Sequence, residues 1–498
     1  MSMSTESNIS RIVKHAGFDT MGTVVSHVFL FVSSVVITRT IGAELFGKYS
    51  LSNGIFLFCV VFAVFGLDMG VVRLTSKYNL RQDSAATKGT LLGGLGLTLS
   101  FSMIILIAVL ALAPMIAARV FKNVEGIAWV LRVHILALPF YCLMVVTNGY
   151  TQGFKTLKYS VIVEAISRPG IRLAAVVVLF LVGLRLSAVL FGTVISFAAA
   201  AFLALHFARK VSPFPFKRTR ARRATREVFF FSLPLVLSRF TNIIISRANT
   251  ILVGIFTDST NTGLFGAAVS LSPMISLSLL SFSRIFSPFI SELWEKRDLV
   301  ELAATFKTVS KWVFSIGFPI ALLFLLYAPS LLRIFGSDFE GASKTLRLLA
   351  AGQIVNAAVG PVGFVLSMTG RQKLNLVNSI ILAGINVVLN VLMIPRWGIA
   401  GAGLATSLSL AFVNILRVVE IKLIHGFLPF RKDLIKPVAA GILAAAGFYL
   451  LNSFLRWEDI PRTLVLCAAF MLVYVVLLYA FGLREEKEIL LDILRRRK

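Results

Sequence analysis

Five arginines stand inside, or at the edge of, stretches of sequence that are otherwise apolar: Arg39, Arg168, Arg172, Arg239 and Arg247. Guanidinium forks bind phosphate and pyrophosphate in bidentate fashion. A group of them sheltered together therefore suits an anionic ligand and repels a cationic one. Glu164, Arg168 and Arg172 follow one another at four-residue steps, which would place them on one stripe of a helix. Pairing of Glu164 with Arg168 along that helix is the structural alternative, and it leaves Arg172 without a carboxylate on its own element. Arg239 and Arg247 would fall within about 80° of one another on a second helix. Arg247 could snorkel to an interface, whereas Arg239 is placed near mid-membrane, where that escape is poor.

Other polar groups share these stretches. Asp68, in Phe65-Gly66-Leu67-Asp68-Met69-Gly70, ends an apolar run close to Arg73, whose ion-pair partner it could be. His27 could titrate or simply donate to a neighbouring carbonyl. Asn249, like Asn242, offers amide donors that interhelical bridging explains equally well. Arg132 and His134 open another run and read as interfacial. Coupling or gating could involve His27, Asp68, Glu164 or Asn249, and proton or sodium coupling stays open. No Gly-rich loop precedes a Lys-Ser/Thr pair, so nucleotide hydrolysis is not expected. Cys59, Cys142 and Cys467 lie within apolar runs without metal-ligand spacing. No cofactor or metal is expected.

The elements carrying these residues follow from composition. Of 498 residues, 57% are hydrophobic and 15% charged, with a mean hydropathy of +0.87. A soluble domain is nearer half apolar and a quarter charged, so the chain is expected to be an all-α, polytopic membrane protein. About fourteen runs are long enough to span. They lie near residues 18–40, 48–72, 89–113, 127–149, 158–182, 186–208, 228–253, 262–288, 310–332, 345–368, 374–394, 399–424, 437–455 and 462–482. The net charge of +27 does not indicate nucleic acid, because most basic residues sit in short gaps between runs. Taking alternate gaps puts 34 Lys and Arg on one side and 11 on the other. The positive-inside rule then places both termini in the cytoplasm of a multi-pass protein of the cell (inner) membrane.

The densest basic block, Lys217-Arg218-Thr219-Arg220-Ala221-Arg222-Arg223-Ala224-Thr225-Arg226, reads as a topogenic linker near anionic lipid. A regulatory or docking role is its alternative. It divides the chain into an N-terminal lobe of six helices (1–210), a linker (211–227), a C-terminal lobe of six (228–425), and a last helix pair with a basic tail (426–498). A faint repeat crosses it. Leu45-Phe46-Gly47 with Ser50-Leu51-Ser52 is similar to Leu264-Phe265-Gly266 with Ser270-Leu271-Ser272. Six-helix units enter from the same face, so the repeats would be parallel about a central cavity. Gly66, Gly360 and Pro361 are candidate hinges.

Several motifs carry a resemblance. Thr38-Arg39-Thr40-Ile41-Gly42-Ala43-Glu44-Leu45-Phe46-Gly47-Lys48-Tyr49 resembles the loop after the first helix in the polysaccharide transporter branch of the multidrug/oligosaccharidyl-lipid/polysaccharide exporter superfamily. Thr369-Gly370-Arg371-Gln372-Lys373 and Ile394-Pro395-Arg396-Trp397-Gly398-Ile399-Ala400-Gly401 are similar to that branch too. The likeness runs from about residue 10 to 425. It implies two six-helix lobes plus a C-terminal pair, alternating access, and flipping of a polyprenyl-pyrophosphate-linked oligosaccharide to the outer leaflet for surface polysaccharide or glycan assembly. Arg39 and Asp68 fall in its shared motifs. Where many relatives carry an acid on the seventh helix, Asn249 stands here, which argues against cation coupling through the C-terminal lobe. Expected partners are the lipid-linked oligosaccharide, membrane lipids, and a glycan polymerase or glycosyltransferase. A cation-coupled multidrug antiporter of the same superfamily is the alternative. A polymerase or ligase is disfavoured, because the longest outer loop is under about 20 residues, too short to hold an acceptor domain.

Overall fold

The computed structural model describes every residue except Met1, Asn123, 216–218, Arg223, Pro234, 455–458 and 482–498, and it omits some side chains, among them 2–24 and His27. The readings of His27, Lys217, Arg218 and Arg223 therefore lie outside the described residues. The chain forms two compact units, 1–266 and 267–498.

The first unit contains α1 (Ser2–Val64), α2 (Leu67–Leu80), α3 (Ser84–Arg119), α4 (Ile127–Ile135), α5 (Leu138–Gly153), α6 (Lys158–Val161), a π-helical turn (Ile162–Ser167), α7 (Arg168–Leu181), α8 (Leu186–Val211), α9 (Thr225–Ser232), α10 (Leu235–Phe256) and most of α11 (Ser259–Leu271). The second contains α12 (Pro273–Glu295), α13 (Leu299–Arg333), α14 (Ser343–Val359), α15 (Val362–Leu366), a second π turn (Ser367–Arg371), α16 (Gln372–His425), α17 (Ile435–Phe454) and α18 (Asp459–Ala480). No strand occurs among the described residues. In hydrocarbon every backbone polar group must be satisfied internally, and helices do this within one segment.

A straight helix as long as α1 would measure about 95 Å, three bilayer cores end to end. Gly42, at φ 75° and ψ 177°, breaks it. Gly398, at φ 55° and ψ −139°, breaks α16 in the same way. With these two breaks, and with α2 continuing the second pass, α4–α5 forming the fourth and α9–α10 the seventh, the helices account for the fourteen passes read from the sequence. Gly66 and Gly360 also adopt left-handed φ, 70° and 67°, and each interrupts a pass.

Small residues let the helices of the first unit approach closely. A Cβ at Gly149 of α5 would come within 2.6 Å of the Asp68 carbonyl oxygen on α2, so these two backbones touch. The π turn before α7 has a local cause. Pro169 lacks an N–H and its ring crowds the carbonyl four residues back; a wider turn upstream accommodates both.

The basic segment is not a solvated linker alone. The Arg222 N–H donates to Ala85 O at 2.9 Å, its guanidinium meets Asp83 at 3.2 Å, and Lys88 Nζ donates to Thr219 O at 2.8 Å. Tyr78 Oη donates to Glu227 at the start of α9. These contacts dock the segment onto α2 and α3.

Candidate anion-binding site

Arg168 and Arg172 rise from the first turns of α7, directly after the π turn. Farther along α7, Val178 and Leu181 are 59% and 80% exposed and form its lipid-facing surface. The two arginines instead reach into the packed interior. Arg172 Nη2 donates to Tyr49 Oη at 2.6 Å, with its guanidinium carbon 5.3 Å from the centroid of that ring. Arg168 lies 5.4 Å from the centroid of Phe197. Tyr141 packs edge-on to Phe197, at 5.1 Å and 77°. Arg247 of α10 joins them, since Arg168 and Arg247 both interact electrostatically with Tyr49 and Tyr141. Helices from two parts of the sequence thus bring three guanidinium groups to one pair of tyrosines.

The charge balance there is positive. Glu164 lies within electrostatic reach of Arg168, and its Oε1 accepts from Asn148 Nδ2 at 2.7 Å. Among the described residues no carboxylate forms an ion pair with Arg168, Arg172 or Arg247. The Nε atom of each of the three is buried without a hydrogen-bond partner. A charged group held within a bilayer costs about 2.5–3.5 kcal/mol even on the lenient insertion scale, and an unsatisfied buried donor adds to that. An anionic ligand with several acceptor oxygens would relieve both terms.

The remaining candidates divide. Arg239 does not join the cluster, because its Nη2 is 2.5 Å from Asp68 Oδ2. The expected Asp68–Arg73 pair is thereby overturned: Arg73 stacks on Phe231 instead, 4.4 Å from its centroid. Arg39 is exposed on α1. Asn249 is buried on α10. Arg247 is half-buried on α10, within electrostatic reach of the two tyrosines. The regular stripe expected of Glu164, Arg168 and Arg172 is interrupted by the π turn, which contains Glu164 and ends just before Arg168.

Sequence reasoning missed the aromatic frame. Tyr49 was visible only as part of a loop motif, and Tyr141 and Phe197 only as apolar residues. His134, read as interfacial, is 1% exposed. Its ring stacks on Tyr49 at 5.6 Å and on Phe56 at 5.0 Å, and its Nδ1 is hydrogen-bonded to Ser52 Oγ at 2.5 Å. The short α4 followed by the turn at Leu136 and Ala137 carries it inward. Arg132, on the same short helix, is exposed and donates to Leu110 O at 3.2 Å.

Comparison with known proteins agrees with this architecture. The family described as "Polysaccharide biosynthesis protein" matches residues 12–294, and MatE matches residues 234–392. Stage V sporulation protein B of Bacillus subtilis is 24% identical over 423 residues, covering 78% of this chain and 80% of the relative. The probable low-salt glycan biosynthesis flippase Agl15 of Haloferax volcanii is 24% identical over 192 residues, 38% of this chain and 41% of the relative. Among solved structures, the lipid II flippase MurJ in an inward closed conformation superposes with a TM-score of 0.71 at 14% identity, covering 94% of this chain and 99% of MurJ. With more than half its length matched, the chain is a multi-pass membrane protein and belongs to the family described as "Polysaccharide biosynthesis protein".

Proposed function

We propose that the protein moves a polyprenyl-(pyro)phosphate-linked oligosaccharide from the inner to the outer leaflet by alternating access, making and breaking no covalent bond. The single observation that carries this is the gathering of Arg168, Arg172 and Arg247 around Tyr49 and Tyr141 with no paired carboxylate. Such a group recognises a phosphate or pyrophosphate. Relatives named as flippases and the MurJ fold support the same reading. The lobes that would rock are residues 1–210 and 228–425, joined by 211–227 and followed by 426–498. Both termini would be cytoplasmic, in the inner membrane, with a glycan polymerase or glycosyltransferase acting on either side of the transport step.

The test is leaflet exchange of a polyprenyl-pyrophosphate oligosaccharide in reconstituted vesicles. Changing Arg168, Arg172 and Arg247 together to Ala is expected to reduce exchange to the protein-free rate. Unaltered exchange in that variant would overturn the role assigned to the cluster. The antiporter alternative of the same superfamily predicts the opposite sensitivity: drug efflux indifferent to the three arginines and abolished by Asp68→Asn.

A further inference from the structure

Pro114 stands inside α3, and Pro319 and Pro329 stand inside α13. A proline has no N–H, so the carbonyl four residues before it loses its helical donor. In hydrocarbon no water takes the donor's place. The carbonyls concerned are those of Leu110, Ser315 and Leu325, and a side chain from another helix meets each one. Arg132 Nε of α4 donates to Leu110 O at 3.2 Å. Arg347 Nε of α14 donates to Leu325 O at 3.0 Å, and Tyr474 Oη of α18 donates to Ser315 O at 2.9 Å. Before Pro169 the chain widens into a π turn; at these three prolines it imports a donor.

The two arginines occupy matching places in a repeat. Ala113-Pro114, Glu125-Gly126 and Leu131-Arg132 recur as Ala328-Pro329, Glu340-Gly341 and Leu346-Arg347, each 215 positions later. In both units the arginine follows the proline by 18 residues and reaches back 22 positions to the carbonyl. Both carbonyls lie about 12–14 Å short of the ends of their helices, which fall at Arg119 and Arg333. Both arginines are exposed. An arginine that only anchored its helix at an interface would need no such register with a proline on the preceding helix. Tyr327, two residues before Pro329, has φ −113° and ψ 20° and marks a bend in α13.

We propose that Arg132 and Arg347 stand in for the amides that Pro114 and Pro329 lack, so that each proline is a fixed bend instead of a hinge. The bond ties α3 to α4 in the first unit and α13 to α14 in the second. A donor inserted into the helical ladder is one of the recognised companions of a kink, and a charged donor makes the stronger bond. The guanidinium gains as well, since one of its N–H groups is satisfied by a carbonyl dipole within the span. The device does not depend on what the protein transports, and its measurement needs no substrate.

The experiment is a double-mutant cycle in each unit of the purified full-length chain in neutral detergent. It is read by thermal unfolding and by deuterium uptake of the peptides that contain Leu110 or Leu325. Arg132→Met keeps the length of the side chain and removes every donor. It is expected to lower the midpoint by at least about 2 °C and to speed local uptake about tenfold. Pro114→Ala restores the backbone N–H, and in that background Arg132→Met should cost less than half as much and leave local uptake unchanged. Arg347→Met should depend on Pro329→Ala in the same way. If an arginine variant does not fold alone, recovery of folding in the combined variant is the expected result. Equal losses with and without the proline, in either unit, would show that the arginine acts through charge or packing alone and would overturn the proposal. So would an arginine variant indistinguishable from the natural chain, or a combined variant that does not fold although its alanine parent does.

Discussion

Arg239 donates to Asp68 at 2.5 Å across 171 positions of sequence, fastening α10 to the first turn of α2. Only Oδ2 of the carboxylate is used; Oδ1 is buried without a hydrogen-bond partner. The Asp68 side chain is 13% exposed and that of Arg239 36%, so the acid is the more enclosed partner.

Asp68→Asn removes the acid and leaves Arg239 charged. It is expected to lower stability by about 1–3 kcal/mol, read from thermal unfolding of the purified protein. Exchanging the charges, with Asp68→Arg and Arg239→Asp together, should recover at least half of that loss. An exchanged variant no more stable than Asp68→Asn would show that the pair contributes nothing.

Tyr49→Phe deletes the acceptor of the Arg172 bond and keeps the ring beneath the guanidinium. The orphaned donor is expected to cost about 1–3 kcal/mol, again by thermal unfolding. A loss of under about 0.5 kcal/mol would mean that Arg172 finds another acceptor and that the tyrosine hydroxyl does not position it.

Ser52→Ala strips a buried imidazole nitrogen of its partner and should cost about 1–3 kcal/mol. His134→Phe keeps a flat ring between Tyr49 and Phe56, while the freed Ser52 hydroxyl can turn to its own helix backbone. The double variant is therefore expected to be more stable than Ser52→Ala alone. Additive losses in the double variant would contradict the hydrogen bond as the source of the effect.

Asp83 does two things at the start of α3: it caps the helix by accepting from the Ala86 N–H at 2.8 Å, and it meets Arg222. The exposed ion pair is worth about 0–1 kcal/mol, and the cap about 1 kcal/mol. Asp83→Ala should thus cost more than Arg222→Ala in the same melt. The reverse order would mean that Arg222 contributes chiefly through another contact, its stacking on Tyr78.

The fourteen passes were legible because hydropathy over about twenty residues depends only on local composition, and Gly42 and Gly398 supplied the breaks that such lengths demand. The arginine cluster was half legible. Arg168, Arg172 and Arg247 stood out as charges where charge is costly, but no local pattern shows that helices far apart in sequence converge on Tyr49 and Tyr141. Arg239 looked equivalent to them because its partner, Asp68, lies in another run with a nearer base, Arg73, beside it. The enclosure of His134 was not legible for a different reason: position within an apolar run does not show that Ser52, Tyr49 and Phe56 of another helix surround it.

The wide turn at Ile162–Ser167 amounts to an α-helix with one residue inserted, and an inserted residue shifts the angular frame of everything after it by about 100°. The orientation of Arg168 and Arg172 is thus set by chain length upstream as much as by their own identity. Deleting a single residue there, without touching either arginine, would turn both by about that angle relative to the helix upstream.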